Sequence, residues 1–176
     1  MFYSAKSRAM LVVLVLAALP MTALAQGSMI RQWGSDAVAT SEFSPTDWSA
    51  MQATGAPDSR ECADLTTAWA SETISNMDAL TVFYDTPVFA TQVTIYQNYN
   101  PGAIVRVDLI PADGSAPIEI PDSFDSGTPC PGTFSLSFDE TSVAVFGVRI
   151  WLDQSLIGDW NEIDAVQLVG VEAEGV

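Results

Sequence analysis

Histidine is absent from all 176 residues, and that one gap removes many enzyme classes. Ser-His and Cys-His systems need an imidazole to take the proton from the attacking hydroxyl or thiol. Basic residues are scarce, six against 22 acidic ones, for a formal charge of −16. A surface of that sign repels nucleic acid and anionic membranes. No Gly-rich phosphate loop follows a strand, and no basic patch is interleaved with aromatics. Internal repeats and low-complexity tracts are also missing. Cysteine occurs twice, too seldom to build a soft-metal centre without histidine. Glycoside hydrolysis would need only two carboxylates, but nothing in their context singles out a pair among 22. The chain reads as a non-enzyme.

What is present begins with a processing signal. Lys6 and Arg8 precede an unbroken apolar run, Ala9–Leu19, which Pro20 ends, and Ala23-Leu24-Ala25 follows as an A-x-A cleavage site. The run is well short of the roughly 20 residues that span a bilayer as a helix. Cleavage is therefore expected before Gln26, leaving residues 26–176 as one secreted or periplasmic domain with no transmembrane segment. Losing Lys6 and Arg8 deepens the charge to −18. The acids are spread out, as on a solvated exterior, rather than gathered into a disordered tail. Cys62 and Cys130 both lie beyond the signal, where an oxidising compartment favours a disulfide over two free thiols.

Period-two alternation dominates the rest. Leu80, Val82 and Tyr84 share one face of an expected strand, and Asp85-Thr86-Pro87 punctuates it. Val88–Ile110 reads as a hairpin, with Val93 and Ile95 on one arm, a turn at Asn98–Gly102, and Val105, Val107 and Leu109 on the other. Ala37–Thr40, Ile118–Ile120, Phe134–Phe138, Val143–Asp153 and Ile163–Val169 supply further extended pieces, with Gly147 marking a bulge or close packing. Asp47–Thr54 is expected to make a helical turn with Asp47 placed to cap it. Trp33, Trp48 and Trp69 read as core or structural. Short strands with turn signals every 8 to 12 residues predict an all-β sandwich.

Five segments, ATSEFSPTDWSAMQATGAPD, TTAWAS, QNYNPGAIVRV, VRIWLDQ and WNEIDAVQLVG, together resemble a discoidin-like, galactose-binding-like (F5/8 type C-like) domain of secreted bacterial proteins. The resemblance runs from about Gln32 to Gly170. It implies a jelly-roll β-sandwich of about eight antiparallel strands, with ligands bound by loops at one end. It also implies a structural Ca²⁺ held between an early loop and an acidic residue near the C-terminus. The nearest matches are Asp58 and Glu162, with Asp64 and Asp164 beside them; the alternative is that Asp58 caps its turn and Glu162 is merely exposed. All four supply the oxygen donors that Ca²⁺ takes.

If Val148, Ile150 and Leu152 face inward, then Arg149, Trp151 and Asp153 face outward. An outward Trp151 could be a flat platform for a sugar ring, with Arg149 and Asp153 hydrogen-bonding beside it. Otherwise a loop or second layer covers it. Trp160 and Tyr99 lie in turns where a binding end would be. Two functions follow: a secreted carbohydrate-binding module, with a glycan or a cell-surface ligand as partner, or a structural or protein-interaction domain without a sugar site.

Overall fold

Strand β7, Val145–Asp153, shows how the sequence pattern becomes a layer: Val148, Ile150 and Leu152 are fully buried while Phe146, Arg149, Trp151 and Asp153 are only partly covered. In this computed structural model the described residues are Met1 and 27–173. The expected signal and its cleavage site lie outside them, Met1 apart. Seven further strands accompany β7: β1 (Met29–Trp33), β2 (Asp36–Ala39), β3 (Met77–Tyr99), β4 (Ile104–Pro111), β5 (Ile118–Glu119), β6 (Gly132–Ser137) and β8 (Glu162–Glu172). All pairings are antiparallel. The chain is an all-β, jelly-roll type sandwich, as its alternation predicts.

Strand β3 belongs to both layers. Its first third, Met77–Phe83, lies between β2 and β7, and β7 continues to β4 and β5. From Val88 onward it lies between β8 and β6, with β1 outside β8. The register breaks between Phe83 and Val88, where Pro87 has no N–H to give a ladder. The sequence shows this break as an end to the strand. In the structure it is a bend, across which one strand changes sheets.

The expected Val88–Ile110 hairpin is a correction. β3 and β4 do not pair: β4 is bonded to β7 and β5, whereas the second part of β3 is bonded to β8 and β6. The Asn98–Gly102 turn is thus an arch from one sheet to the other, with Asn100 and Gly102 at positive φ. A hairpin and an arch show the same alternation and the same turn residues, because both strands bury one face in either case. β1 was also not apparent from its scattered apolar residues. The expected helical turn shortens to a 3-10 turn, Ala50–Ala53, whose N-cap is Ser49 rather than Asp47, without a side-chain cap.

The core lies between the layers, with Leu80, Val82, Val107 and Ile150 from one sheet against Val93, Ile95, Val166 and Leu168 from the other. Trp69, fully buried, closes its end through an isolated bridge to Ile163. Beside the core, Gly147 packs where a Cβ would press within 3.1 Å of Phe83 Cδ1 and 3.2 Å of Ile110 Cβ. The register of β7 shifts there, so both expectations for Gly147, bulge and close packing, describe it.

Candidate functional site

Two consecutive irregularities where β3 meets the start of β8 decide which side chains reach the loop end. Tyr96 pairs with Ala165 and Gln97 with Ile163, so Asp164 is an extra residue on β8. Next, Gln97 pairs with Ile163 and Tyr99 with Glu162, so Asn98 is an extra residue on β3. Such bulges re-aim side chains. Val166 and Leu168 join the core, and beyond the bulge Ile163 does so as well, which turns the carboxylates of Glu162 and Asp164 away from it.

Each carboxylate then meets a partner from the 56–70 loop. Asp164 accepts from the backbone N–H of Asp58 (3.3 Å) and of Ser59 (3.2 Å), and the Asp58 side chain stands beside it. Burial, then the Asp58 carboxylate, push the Asp164 carboxyl up to about 6. Glu162, 1% exposed, accepts at Oε2 from Leu65 N (3.2 Å) and Asn98 Nδ2 (2.9 Å). Burial, with Asp64 adding to it, pushes Glu162 up to about 7. The family resemblance matched Asp58 with Glu162, but the structure pairs Asp58 with Asp164 and Asp64 with Glu162. No group of three or more His, Cys, Asp or Glu that could hold a metal ion occurs among the described residues. The Asp58–Asp164 pair, with the Ser59 and Thr67 hydroxyls 2.6 Å apart beside it, fits a hard cation in the chemistry of its donors.

The loop is held in place from two sides. Cys62 is bonded to Cys130, joining the 56–70 loop to the segment before β6. Asn98 Nδ2 donates to Ala63 O and Ala63 N donates to Asn98 O, at 2.9 and 3.2 Å. A cleft of about 470 Å³ lies along this loop, between Pro57, Arg60 and Asp164 on one side and Tyr96, Gln97 and Thr133 on the other.

A second, smaller pocket of about 180 Å³ is lined by Phe43, Trp48, Asp64, Ala70, Tyr99, Asp159, Trp160 and Glu162. Phe43 sits edge-to-face against Trp48 (centroids 5.3 Å apart) and Trp160 (5.8 Å). Every polar handle of these rings is already engaged. Trp48 Nε1 donates to Asp64 Oδ1 (2.9 Å), Trp160 Nε1 to Ser71 O (2.9 Å) and Tyr99 OH to Asp159 Oδ2 (3.4 Å). Asn100 Nδ2 also donates to Asp159 Oδ2 (2.8 Å), and Trp160 N to Asp159 Oδ1 (2.9 Å). Trp48 holds its place with φ at +52°, a conformation that bulky side chains rarely adopt and that gathers at functional sites.

Two of the five expected ligand residues, Tyr99 and Trp160, come together here. The other three do not. Trp151 lines a separate depression with Met77, Val105 and Arg106; its Nε1 donates to Asp108 Oδ2 (2.8 Å) and the Arg106 guanidinium lies 4.8 Å from its ring centre. Arg149 is taken up by Thr81 across the sheet (3.2 Å), and Asp153 caps the 3-10 turn Gln154–Leu156 by accepting from Ser155 N (3.1 Å). Sequence reasoning missed Phe43, Trp48 and Asp159, and set Trp48 among structural residues. Their one signal was position: Asp159 adjoins Trp160, and Phe43 and Trp48 lie in the polar stretch after β2.

The sequence matches, over residues 23–176, the family described as PAPPA: Pappalysin-1, SD scarf domain, C-terminal. No curated protein matches it. Several solved structures share its fold at low identity. A family 32 carbohydrate-binding module of NanJ from C. perfringens, in complex with galactose, is 14% identical with TM-score 0.58, over 80% of this chain and 99% of that one. An F5/8 type C domain from Bacteroides fragilis is 11% identical with TM-score 0.57, over 81% and 99%. A point mutant of chitosan-binding module 1 from a chitosanase/glucanase of Paenibacillus sp. IK-5 is 13% identical with TM-score 0.54, over 77% and 93%. The discoidin-like, F5/8 type C-like fold read from the five sequence segments is therefore the fold of this chain.

Proposed function

This chain belongs to the family of the pappalysin-1 SD scarf domain, C-terminal, and from that starting point we propose that it is a secreted, non-catalytic module that binds carbohydrate. The observation that carries the proposal is the pocket between Trp48, Trp160 and Tyr99, where ring walls stand beside Asp64, Asp159 and Glu162. Sugar rings present C–H faces to aromatics and hydroxyl edges to fixed acceptors, and this pocket offers both. At about 180 Å³ it is below the ~300–1,000 Å³ of drug-sized sites, which suits one sugar unit rather than a long chain laid in a groove. Similar structures that carry galactose or derive from a chitosan-binding module support the reading. Among the described residues no helix is long and apolar enough to cross a membrane.

The Asp58–Asp164 pair is the candidate seat of a structural Ca²⁺. A hard cation there would supply positive charge to two facing carboxylates and pin the 56–70 loop to β8. The test of function is a glycan array on calcium-loaded protein, followed by calorimetry on the best hit with Trp160→Ala and Trp48→Ala. Each variant should weaken binding at least about fivefold, since stacking rings commonly contribute over ~1 kcal/mol. Affinities unchanged in both variants, or an array with no hits, would leave a protein-interaction domain as the better reading.

A further inference from the structure

Asp64, Asp159 and Glu162 converge on the aromatic pocket without a counter-cation. The only salt bridge among the described residues is Arg106–Asp108, on the outer face of the β4–β7 pair. Arg149 is bonded to Thr81, Arg60 lines the larger cleft, and Arg31 is exposed on β1. None of the four basic residues beyond the expected signal lines the pocket.

The pocket is equally one-sided in hydrogen bonding. Both indole N–H groups and the Tyr99 hydroxyl donate to Asp64, Ser71 and Asp159, so no ring keeps a free donor. An acceptor is left over: Asp64 Oδ2 accepts from no N–H among the described residues, and its one side-chain neighbour there is Glu162, whose carboxyl burial raises and which shares a hydrogen bond with Asp64. An acceptor that a ligand covers without offering a donor becomes costly, so a ligand that brings donors is favoured there.

We infer that this pocket selects a sugar carrying a free, protonated amine, recognised by carboxylates and ring faces together. The inference rests on the carbohydrate reading above and narrows it. An ammonium offers three donors and no acceptor, the complement of what the pocket presents. It also gains attraction from Trp48 and Trp160, since a cation near an indole face is stabilised by the ring quadrupole. N-acetylation reverses both terms: it removes the charge and adds a carbonyl acceptor to a site without donors.

The test is calorimetric titration of the purified chain at pH 6, in moderate salt, with a glucosamine trimer and with an N-acetylglucosamine trimer. The amine form should bind about tenfold tighter or better, the size of one charge-assisted contact made out of water. Asp64→Asn and Asp159→Asn should each reduce that preference to about threefold or less, the larger loss of affinity falling on the amine trimer. Asp64→Asn keeps an oxygen for Trp48 Nε1 and should retain the wild-type melting temperature within a few degrees, so it carries the test; Asp159→Asn keeps only one of the two oxygens that Tyr99, Asn100 and Trp160 N bond and should melt lower. Equal or tighter binding of the acetylated trimer would overturn the amine inference and leave the carbohydrate reading standing. Binding of neither trimer, in a protein that also fails the glycan array, would overturn both.

Discussion

Replacing Glu162 with Gln should stabilise this protein in mildly alkaline solution, although it removes a side chain that accepts two internal hydrogen bonds. Glu162 is buried, and that burial, with Asp64 adding to it, lifts its carboxyl from 4.5 to about 7. The folded protein therefore holds a proton between about pH 4.5 and 7 that the unfolded chain has released. By linkage its stability is fully present below that window and falls as the pH rises through it. A shift of that size corresponds to about 3 kcal/mol of stability lost by about pH 8. Gln resembles the protonated acid: its carbonyl can accept from Leu65 N and Asn98 Nδ2, and its amide can donate to Asp64. The variant should thus match wild type near pH 5 and exceed it by up to about 3 kcal/mol at pH 8, or about 6–12 °C in melting temperature for a domain of this size. Thermal melts at half-unit pH steps, in chelator, read the difference. Asp164, lifted by burial and by Asp58 from 3.8 to about 6, adds to the slope in both proteins and cancels in the comparison. Asp125 titrates below the window: burial alone would raise it, but hydrogen bonds from Gln97, Gly127 and Thr128 hold it lower. A wild type more stable than Glu162→Gln at pH 8, by a margin that does not change at pH 5, would refute the reasoning.

Calcium should raise the melting temperature of wild type, by about 2.7 kcal/mol of stability at one hundred times its Kd. Asp58→Ala should erase most of that gain and Asp113→Ala, in the exposed turn after β4, should spare it; equal melts with calcium and with chelator would end the calcium proposal. Removing the disulfide with paired Cys62→Ser and Cys130→Ser substitutions should cost about 4 kcal/mol, as chain entropy gives for a sequence separation of 68. Denaturant unfolding checks this, and a loss below about 1 kcal/mol would show that the remaining contacts of the 56–70 loop already confine the unfolded chain.

Alternation alone determined a good deal. Val148, Ile150 and Leu152 had to be buried once any layer covered β7, because side chains of a strand alternate between faces whatever the strand pairs with. The same rule made the sandwich legible, and the order of five segments made its family of folds legible. Which strands pair was not local information. Val88–Ile110 satisfies a hairpin and an arch equally, and only the presence of β8 and β6 beside β3, and of β7 beside β4, chose the arch.

The candidate site was legible in its residue types and not in its arrangement. Tyr99 and Trp160 stood out as aromatics in turns, and the acids near 58–64 and 162–164 as carboxylates at matching ends. Alternation placed Arg149, Trp151 and Asp153 on the outer side of β7, but Asp108 and Arg106, from a strand far earlier in the chain, occupy Trp151 there. Two bulged residues, Asp164 and Asn98, settle which acid meets which. A bulge reflects how two strands of unequal length fit together, and neither strand shows it alone. Trp48 and Phe43 became pocket walls because the 41–54 segment is bonded to residues 66–70 through Trp48 N–Thr66 O, Ala70 N–Trp48 O and Phe43 N–Ala70 O. Sequence set the chemistry at each position, and the crossing of β3 between layers set which of those positions share a pocket.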